Sequence, residues 1–213
     1  MPQPYVILTA KASLDGRMDV EHPVFLFNRL EDYRVQELRG TVDAVLTSAA
    51  RVAQDDPEFP AKDSTTFPPV VIIDKGLETP AKARVLKNAR KVILATCKSS
   101  NKFRLKPIQD VKPDVSVLEV GENAVNLEDL LWELHRAGMQ KTLLEGDVAL
   151  NMRMLGYGLV DELYVMVAPL MLGQTSVSVF DGKLERNIEL QLDGILQYGD
   201  HVVLHYMVDK NRR

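Results

Sequence analysis

Short apolar runs rich in β-branched residues recur along the first 168 positions of the chain: Tyr5 to Ala10, Val42 to Thr47, Pro69 to Asp74, Lys91 to Thr96, Val115 to Val120, Lys141 to Glu145 and Glu162 to Ala168. Most are apolar throughout rather than alternating, which predicts strands covered on both faces of a parallel sheet. Segments with helical period lie between several of them. Glu31 to Arg39 follows Asn28, and Asn28 with Glu31 three positions later has the form of a capping box. Leu127 to Arg136 follows Asn126 and stops at Gly138; Val148 to Leu155 stops at Gly156 and Gly158; a weaker helical stretch precedes Lys91. Strand and helix alternating at this spacing predict βαβ units with right-handed crossovers. The last forty residues differ, because Asn187 to Gln197 and His201 to Val208 are strand-like and separated by a Tyr-Gly-Asp turn. The pattern as a whole predicts an α/β protein: a single mostly parallel central sheet with helices on both faces and a C-terminal antiparallel hairpin, in one domain over 1–213.

Composition narrows the function more by exclusion than by indication. With 46% hydrophobic and 26% charged residues, the 213-residue chain is ordinary for a globular protein. A formal charge of -4 and the lack of any Lys/Arg block leave no basic field for a nucleic-acid backbone. No apolar stretch approaches the roughly 18 residues of a membrane span, and the opening MPQPYVILTA is no signal peptide, so a cytoplasmic address is expected. The lone Cys97 closes an apolar run and is assigned no chemistry. His201 and His205 are four apart and read as positions on a strand face, and no metal site is expected. Met152, Met154, Met166, Met171 and Trp132 read as packing residues.

Standard nucleotide and hydrolase signatures are absent: there is no G-x-G-x-x-G after a strand, no Walker A, no H-E-x-x-H and no G-x-S-x-G. Four other segments stand out, the first three as candidates for chemistry and the fourth as structural. Lys11-Ala-Ser-Leu-Asp-Gly-Arg17 places a turn directly after the first strand. In Leu46-Thr-Ser-Ala-Ala-Arg-Val-Ala-Gln-Asp-Asp-Pro57 a strand runs into small residues and opens a short helical turn, whose free N–H groups suit a phosphate or diphosphate. A solvated acidic loop is the equal alternative for that segment alone. Leu143-Leu-Glu-Gly-Asp147 ends a buried strand in a carboxylate, and Glu145 stands where open α/β sheets place groups that bind a substrate's donors. Gly158-Leu-Val-Asp-Glu-Leu163, running on to Gly173, reads as a helix stop, a central strand and a turn. The long loop Asp55 to Pro68 follows a strand end, another favoured place for binding residues.

Taken in order, ASLDGR, ELRGTVDAVLTSAARVAQDDP, PVVIID, KTLLEGDVAL, GLVDELYVMVAPLMLG and the final hairpin resemble the reductase domain of the riboflavin-biosynthesis deaminase-reductases and the stand-alone pyrimidine reductases. That family's fold is like that of dihydrofolate reductase. The resemblance covers nearly the whole chain, and the zinc-binding His and Cys residues of a deaminase are absent, so the reductase alone is expected. It implies hydride transfer from NADPH to the ribose C1′ of a diamino- or amino-ribosylaminopyrimidinone phosphate, in a homodimeric enzyme. It also implies site residues. Arg39, Phe59, Lys62 and Glu145 match the substrate side; Ser48, Ala49, Arg51, Asp55, Asp74, Gly146, Asp147, Val148, Ala149 and Leu150 match the cofactor side; Glu145 and Asp55 match catalytic positions; no metal is implied. Bidentate capture of a phosphate is the natural work of the Arg39 guanidinium.

The chain departs from the family pattern at several of these places. Arg51 stands where threonine is usual, Asp147 where a second small residue is usual, Phe59 where leucine is usual, and His22-Pro-Val-Phe25 replaces a Ser-x-Trp segment. A carboxylate beside a diphosphate is unfavourable unless a cation offsets it, and Arg51 is the candidate to pair with Asp147. Two other readings share these features: a reductase of the same fold acting on another pterin-like heterocycle, and a non-catalytic nucleotide-binding relative.

Overall fold

The computed structural model describes residues 1–18, 28–61, 67–173 and 176–210. Its elements run β1 (Tyr5–Ser13), β2 (Arg17–Met18), α1 (Arg29–Arg39), β3 (Ala44–Ser48), α2 (Ala49–Asp55), β4 (Val70–Ile73), α3 (Arg84–Asn88), β5 (Val92–Thr96), α4 (Leu105–Val111), β6 (Ser116–Glu119), α5 (Leu127–Arg136), β7 (Lys141–Leu144), α6 (Val148–Gly156), β8 (Glu162–Ala168), β9 (Val177–Ser178), β10 (Leu190–Tyr198) and β11 (His201–Val208). The chain forms two compact units, each drawn from two separated stretches: 1–5 with 36–147, and 6–35 with 148–213. The divisions fall after the first residue of β1, inside α1 and directly after Asp147.

The first unit holds the strand order β7-β3-β4-β5-β6. All four pairings are parallel, as the unbroken apolar runs require. Val45, Ile72 and Leu94 on one face pack with Val52 of α2, Val85 and Leu86 of α3 and Ile108 of α4. The alternate residues Leu46, Val71 and Ile93 are buried as well, so both faces are covered. Helix α5 begins at Asn126, whose side chain accepts from the N–H groups of Glu128 and Asp129, and buries Leu127, Leu130, Leu131 and Leu134. Helix α4 was not foreseen. Its apolar positions are few, and Pro107 lies inside it; in a first turn, however, the missing proline N–H breaks no helical bond.

In the second unit β1 runs parallel to β8, β8 antiparallel to β11, and β11 antiparallel to β10. The C-terminal hairpin is therefore present as expected, turning at Gly199, whose φ of 62° is one that glycine adopts without strain. Strand β1 is longer than its apolar run: Lys11–Ser13 stay in the ladder because they pair with Met166–Ala168. The loops that follow β1 and β8 meet through the two-residue ladder β2–β9. There Asp15 accepts from the Ser13 hydroxyl (2.5 Å) and from the N–H groups of Leu172 (3.1 Å) and Gly173 (2.8 Å). These bonds, that from Ser13 first, hold its carboxyl well below the usual range, at about 2. Asn28 caps α1 by accepting from Leu30 and Glu31, but the reciprocal half of the box is missing. Glu31, buried, is instead taken by Arg34 in two bonds of 2.7 Å.

Candidate active site

Every contact of the candidate site described below lies within the first unit. Its foundation is the step where β3 and β7, neighbours in a parallel ladder, both reach their carboxyl ends. Glu145 donates its N–H to Leu46 O (2.8 Å), and the Thr47 hydroxyl donates to Glu145 O (2.9 Å). Two bonds thus fix the backbone of Glu145 at the strand end, the edge at which open α/β sheets bind ligands. Its side chain is only 4% exposed, so the charge needs a partner.

Arg39, the last residue of α1, supplies it. Its Nε donates to Oε1 of Glu145 (2.6 Å) and its Nη2 to Oε2 (2.8 Å), a side-on bidentate pair, while Nη1 donates to the carbonyl of Pro60 (2.9 Å). The guanidinium also lies over the Phe59 ring, 5.7 Å from its centroid. Phe59 is buried among core residues and holds φ at 55°, a left-handed conformation that a bulky residue adopts only when its surroundings insist. Asp56, the left-handed cap of α2, begins this turn, and its carboxylate accepts from the Arg84 N–H (2.7 Å). The turn therefore delivers both the Phe59 ring and the Pro60 carbonyl to Arg39.

A second cation reaches the same carboxylate. Arg51 Nη2 lies 3.9 Å from Glu145 Oε2, and Arg51 Nε lies 3.5 Å from Asp55 Oδ2, one helical turn on. The expected pairing of Arg51 with Asp147 is not what the structure shows: among the described residues its ion pairs are with Asp55 and Glu145. Asp147 sits half-buried after Gly146.

The other expected residues fall in several places. Ser48 caps α2 by accepting from the Arg51 N–H (3.1 Å), and Ala49 opens the helix. Asp74 is turned into its own loop: it accepts from the N–H groups of Glu78 and Thr79 and from the Thr79 hydroxyl (2.8, 2.8 and 2.7 Å), so both carboxylate oxygens are engaged. Val148, Ala149 and Leu150 form the first turn of α6, in the second unit. Lys62 and the segment His22–Phe25 lie outside the described residues. Thr47 and Pro60 were not assigned roles from sequence, although they lie in the Leu46–Pro57 segment and the Asp55–Pro68 loop respectively. No group of side chains able to hold a metal ion occurs among the described residues, although Glu162 and Asp193 flank the His205 ring at 2.7 and 3.1 Å.

The family described as the RibD C-terminal domain matches residues 4–204. The chain belongs to that family. Over 97% of its length it is 31% identical to the 2,5-diamino-6-ribosylamino-4(3H)-pyrimidinone 5′-phosphate reductase of Methanothermobacter thermautotrophicus, covering 99% of that protein. The solved structure of Acinetobacter baumannii RibD superposes with a TM-score of 0.81 at 24% identity, over 98% of this chain and 59% of that one. Dihydrofolate reductase of Enterococcus faecalis, solved with NADP(H), superposes at 0.52 with 10% identity over 98% of this chain. The fold is therefore the dihydrofolate-reductase-like one. In this RibD-family chain the carboxylate at the end of β7 and the arginine at the end of α1 form one clasp, with Arg51 beside it.

Proposed function

We propose that the chain reduces the ribosyl group of a (di)amino-ribosylaminopyrimidinone 5′-phosphate to the ribityl form, with NADPH as hydride donor, in riboflavin biosynthesis. One observation carries the reading: in a chain that matches pyrimidinone phosphate reductases end to end, the buried Glu145 at the sheet edge is held by Arg39, so a phosphate-binding cation and a donor-binding carboxylate stand in contact.

The residues around the start of α2 fit a nicotinamide dinucleotide. Ala49 and Ala50 put no bulk over the helix start, where the first backbone N–H groups lack intrahelical partners, and Gly146 does the same after β7. The cofactor supplies the hydride; the protein binds, orients and excludes water. Ser48, Ala49, Arg51, Asp55, Gly146 and Asp147 are assigned to the cofactor side, with Asp74 shaping the neighbouring loop. Arg39 and Lys62 take the substrate phosphate, Glu145 accepts from the substrate's hydroxyl or amino groups, and Phe59 positions Arg39.

We further assign the enzyme to the cytoplasm as a homodimer. Edge strand β10 supports the dimer, since it leaves Leu190, Leu192, Ile195 and Leu196 exposed. Incubation of the purified protein with NADPH and the ribosyl substrate tests the activity: loss of NADPH absorbance with formation of the ribityl product is expected. No NADPH oxidation by folded protein with either the amino or the diamino substrate refutes it.

A further inference from the structure

The turn that meets Arg39 is held from outside its own sequence. Two of its non-glycine residues are left-handed, Asp56 at φ 45° and Phe59 at φ 55°, and strain of that kind persists only where the surroundings fix it. Burial fixes the Phe59 ring. The rest of the turn is fixed by α3, whose start has no side-chain cap of its own. Asp56 Oδ1 accepts from the backbone N–H of Arg84, the first residue of that helix (2.7 Å), Glu58 Oε1 accepts from Asn88 Nδ2 (3.0 Å), and the Arg84 guanidinium pairs with the same Glu58 oxygen. Val85 and Leu86 are fully buried in the same cluster as Phe59, so α3 is anchored in the core of the first unit. Residues 56 and 58 are thus held by α3, while residues 59 and 60 meet Arg39 through the Phe59 ring and the Pro60 carbonyl. With Nη1 on Pro60 and its other edge on Glu145, the guanidinium plane is set from two directions, and the orientation of a planar fork decides how well it matches phosphate oxygens.

We propose that α3 is a positioning element for phosphate recognition: Arg84, through the N–H that Asp56 accepts, and Asn88, through Glu58, hold the turn that orients Arg39, and neither residue touches the ligand. The proposal rests on the reading above that Arg39 binds the substrate phosphate. It makes Arg84 and Asn88 positioning residues, in a helix that contains none of the residues singled out from sequence.

Proline is the substitution that isolates the bond between the turn and the helix. At the first helical position it removes the Arg84 N–H without breaking an intrahelical bond, and Ala83 already has the extended ψ of 138° that a residue before proline prefers. Arg84→Pro is compared with Arg84→Ala, which loses the side chain and keeps the N–H, by calorimetric titration of the full chain with ribose 5-phosphate. Arg84→Pro is expected to bind about fivefold more weakly than Arg84→Ala, within the range of coupling for residues in one network, and to raise KM for the ribosyl substrate more than it lowers kcat. Asp56→Asn, which keeps an acceptor and tolerates the left-handed conformation, is expected to stay within about twofold of the wild type, whereas Asp56→Gly, which keeps only the conformation, is expected to match Arg84→Pro. If Arg84→Pro does not fold, the two Asp56 variants carry the same comparison. In an Arg39→Met background Arg84→Pro and Arg84→Ala are expected to bind alike, because the helix acts through Arg39. Equal binding by the two Arg84 variants while Arg39 is present overturns the proposal, as does a difference that survives Arg39→Met. A wild type that does not bind ribose 5-phosphate, or an Arg39→Met protein that binds it as tightly as the wild type, overturns the reading of Arg39 and the proposal with it. The titrations need no NADPH, so failure of the brace is distinguished from failure of the proposed reduction.

Discussion

Replacing Arg39 by Met keeps the apolar stem and removes the guanidinium, leaving Glu145 buried at the strand end with Arg51, among the described residues, the nearest remaining cation with a recorded contact, at 3.9 Å. Both partners of the clasp are shielded, with side-chain exposures of 12% and 4%, so solvent screening does little to soften the loss. Breaking one side of a buried ion pair costs roughly 3–5 kcal/mol, and the presence of Arg51 places this site at the low end, about 3 kcal/mol. For a chain of this size that corresponds to a fall in Tm of roughly 6–12 °C. The complementary change Glu145→Leu in the same chain removes the stranded carboxylate. Because replacing a buried pair by apolar residues of similar volume is often neutral, the double mutant Arg39→Met/Glu145→Leu is expected within about 1 kcal/mol of the wild type. Urea unfolding followed by Trp132 fluorescence of the four proteins gives the cycle directly, with an expected coupling of about 2–3 kcal/mol. Activity is expected to be lost in all three variants, so stability and turnover part company in the double mutant. If each single change costs under about 0.5 kcal/mol and the two simply add, the clasp does not compensate a buried charge and the account of the site is wrong.

Phe59 sits at φ 55°, so Phe59→Gly is expected to be more stable than Phe59→Ala by about 1 kcal/mol, the reverse of the order at ordinary positions, when both are compared by chemical denaturation. Asp15 has its carboxyl lowered to about 2 by the Ser13, Gly173 and Leu172 bonds; its stabilisation is fully present above the unfolded value of about 3.9 and is lost as pH falls through the folded one. The gap in Tm between the wild type and Asp15→Asn is therefore expected to be constant above about pH 5 and to narrow from about pH 4 toward 2; a gap that widens on acidification contradicts the assignment. If β10 carries the dimer contact, Leu192→Lys together with Ile195→Lys should halve the mass measured by sedimentation while leaving the far-ultraviolet dichroism unchanged.

The parallel strands of the first unit were legible in the sequence because they are covered on both faces: Val42 to Thr47 and Lys91 to Thr96 have little choice of structure. Elements stabilised from outside their own sequence were not. Lys11–Ser13 look like the start of a polar loop and are strand only because Met166–Ala168 lie beside them. β2 and β9 are two residues each, too short for a period to show. At the site, Glu145 could be placed at a strand end from its run of apolar neighbours and the following Gly146. Its partner could not, because Arg39 lies 106 positions away. Arg51 illustrates the same limit: proximity to a cofactor phosphate pointed toward Asp147, whereas the helical spacing to Asp55 and the nearness of Glu145 decide where the guanidinium rests. Nothing local to Phe59 announces a positive φ, since that conformation is set by the Asp56 cap before it and by its own burial.

The Thr47–Glu145 bond joins residues 98 positions apart, and the Val6–Asp161 bond spans 155. Ladders closed over such distances carry their loop-closure entropy before any contact offsets it, which slows their formation. On a ribosome, α1, β3 and α2 emerge long before β7, so Arg39 and Arg51 are both made while the carboxylate that organises them is still unsynthesised. Until Leu144 enters the ladder beside Leu46, the two guanidiniums have no common anchor. The candidate site is thus among the last parts of the first unit to take shape, and a chain cut short before Glu145 would keep that unit's helices while lacking the carboxylate around which the Arg39 and Arg51 contacts are arranged.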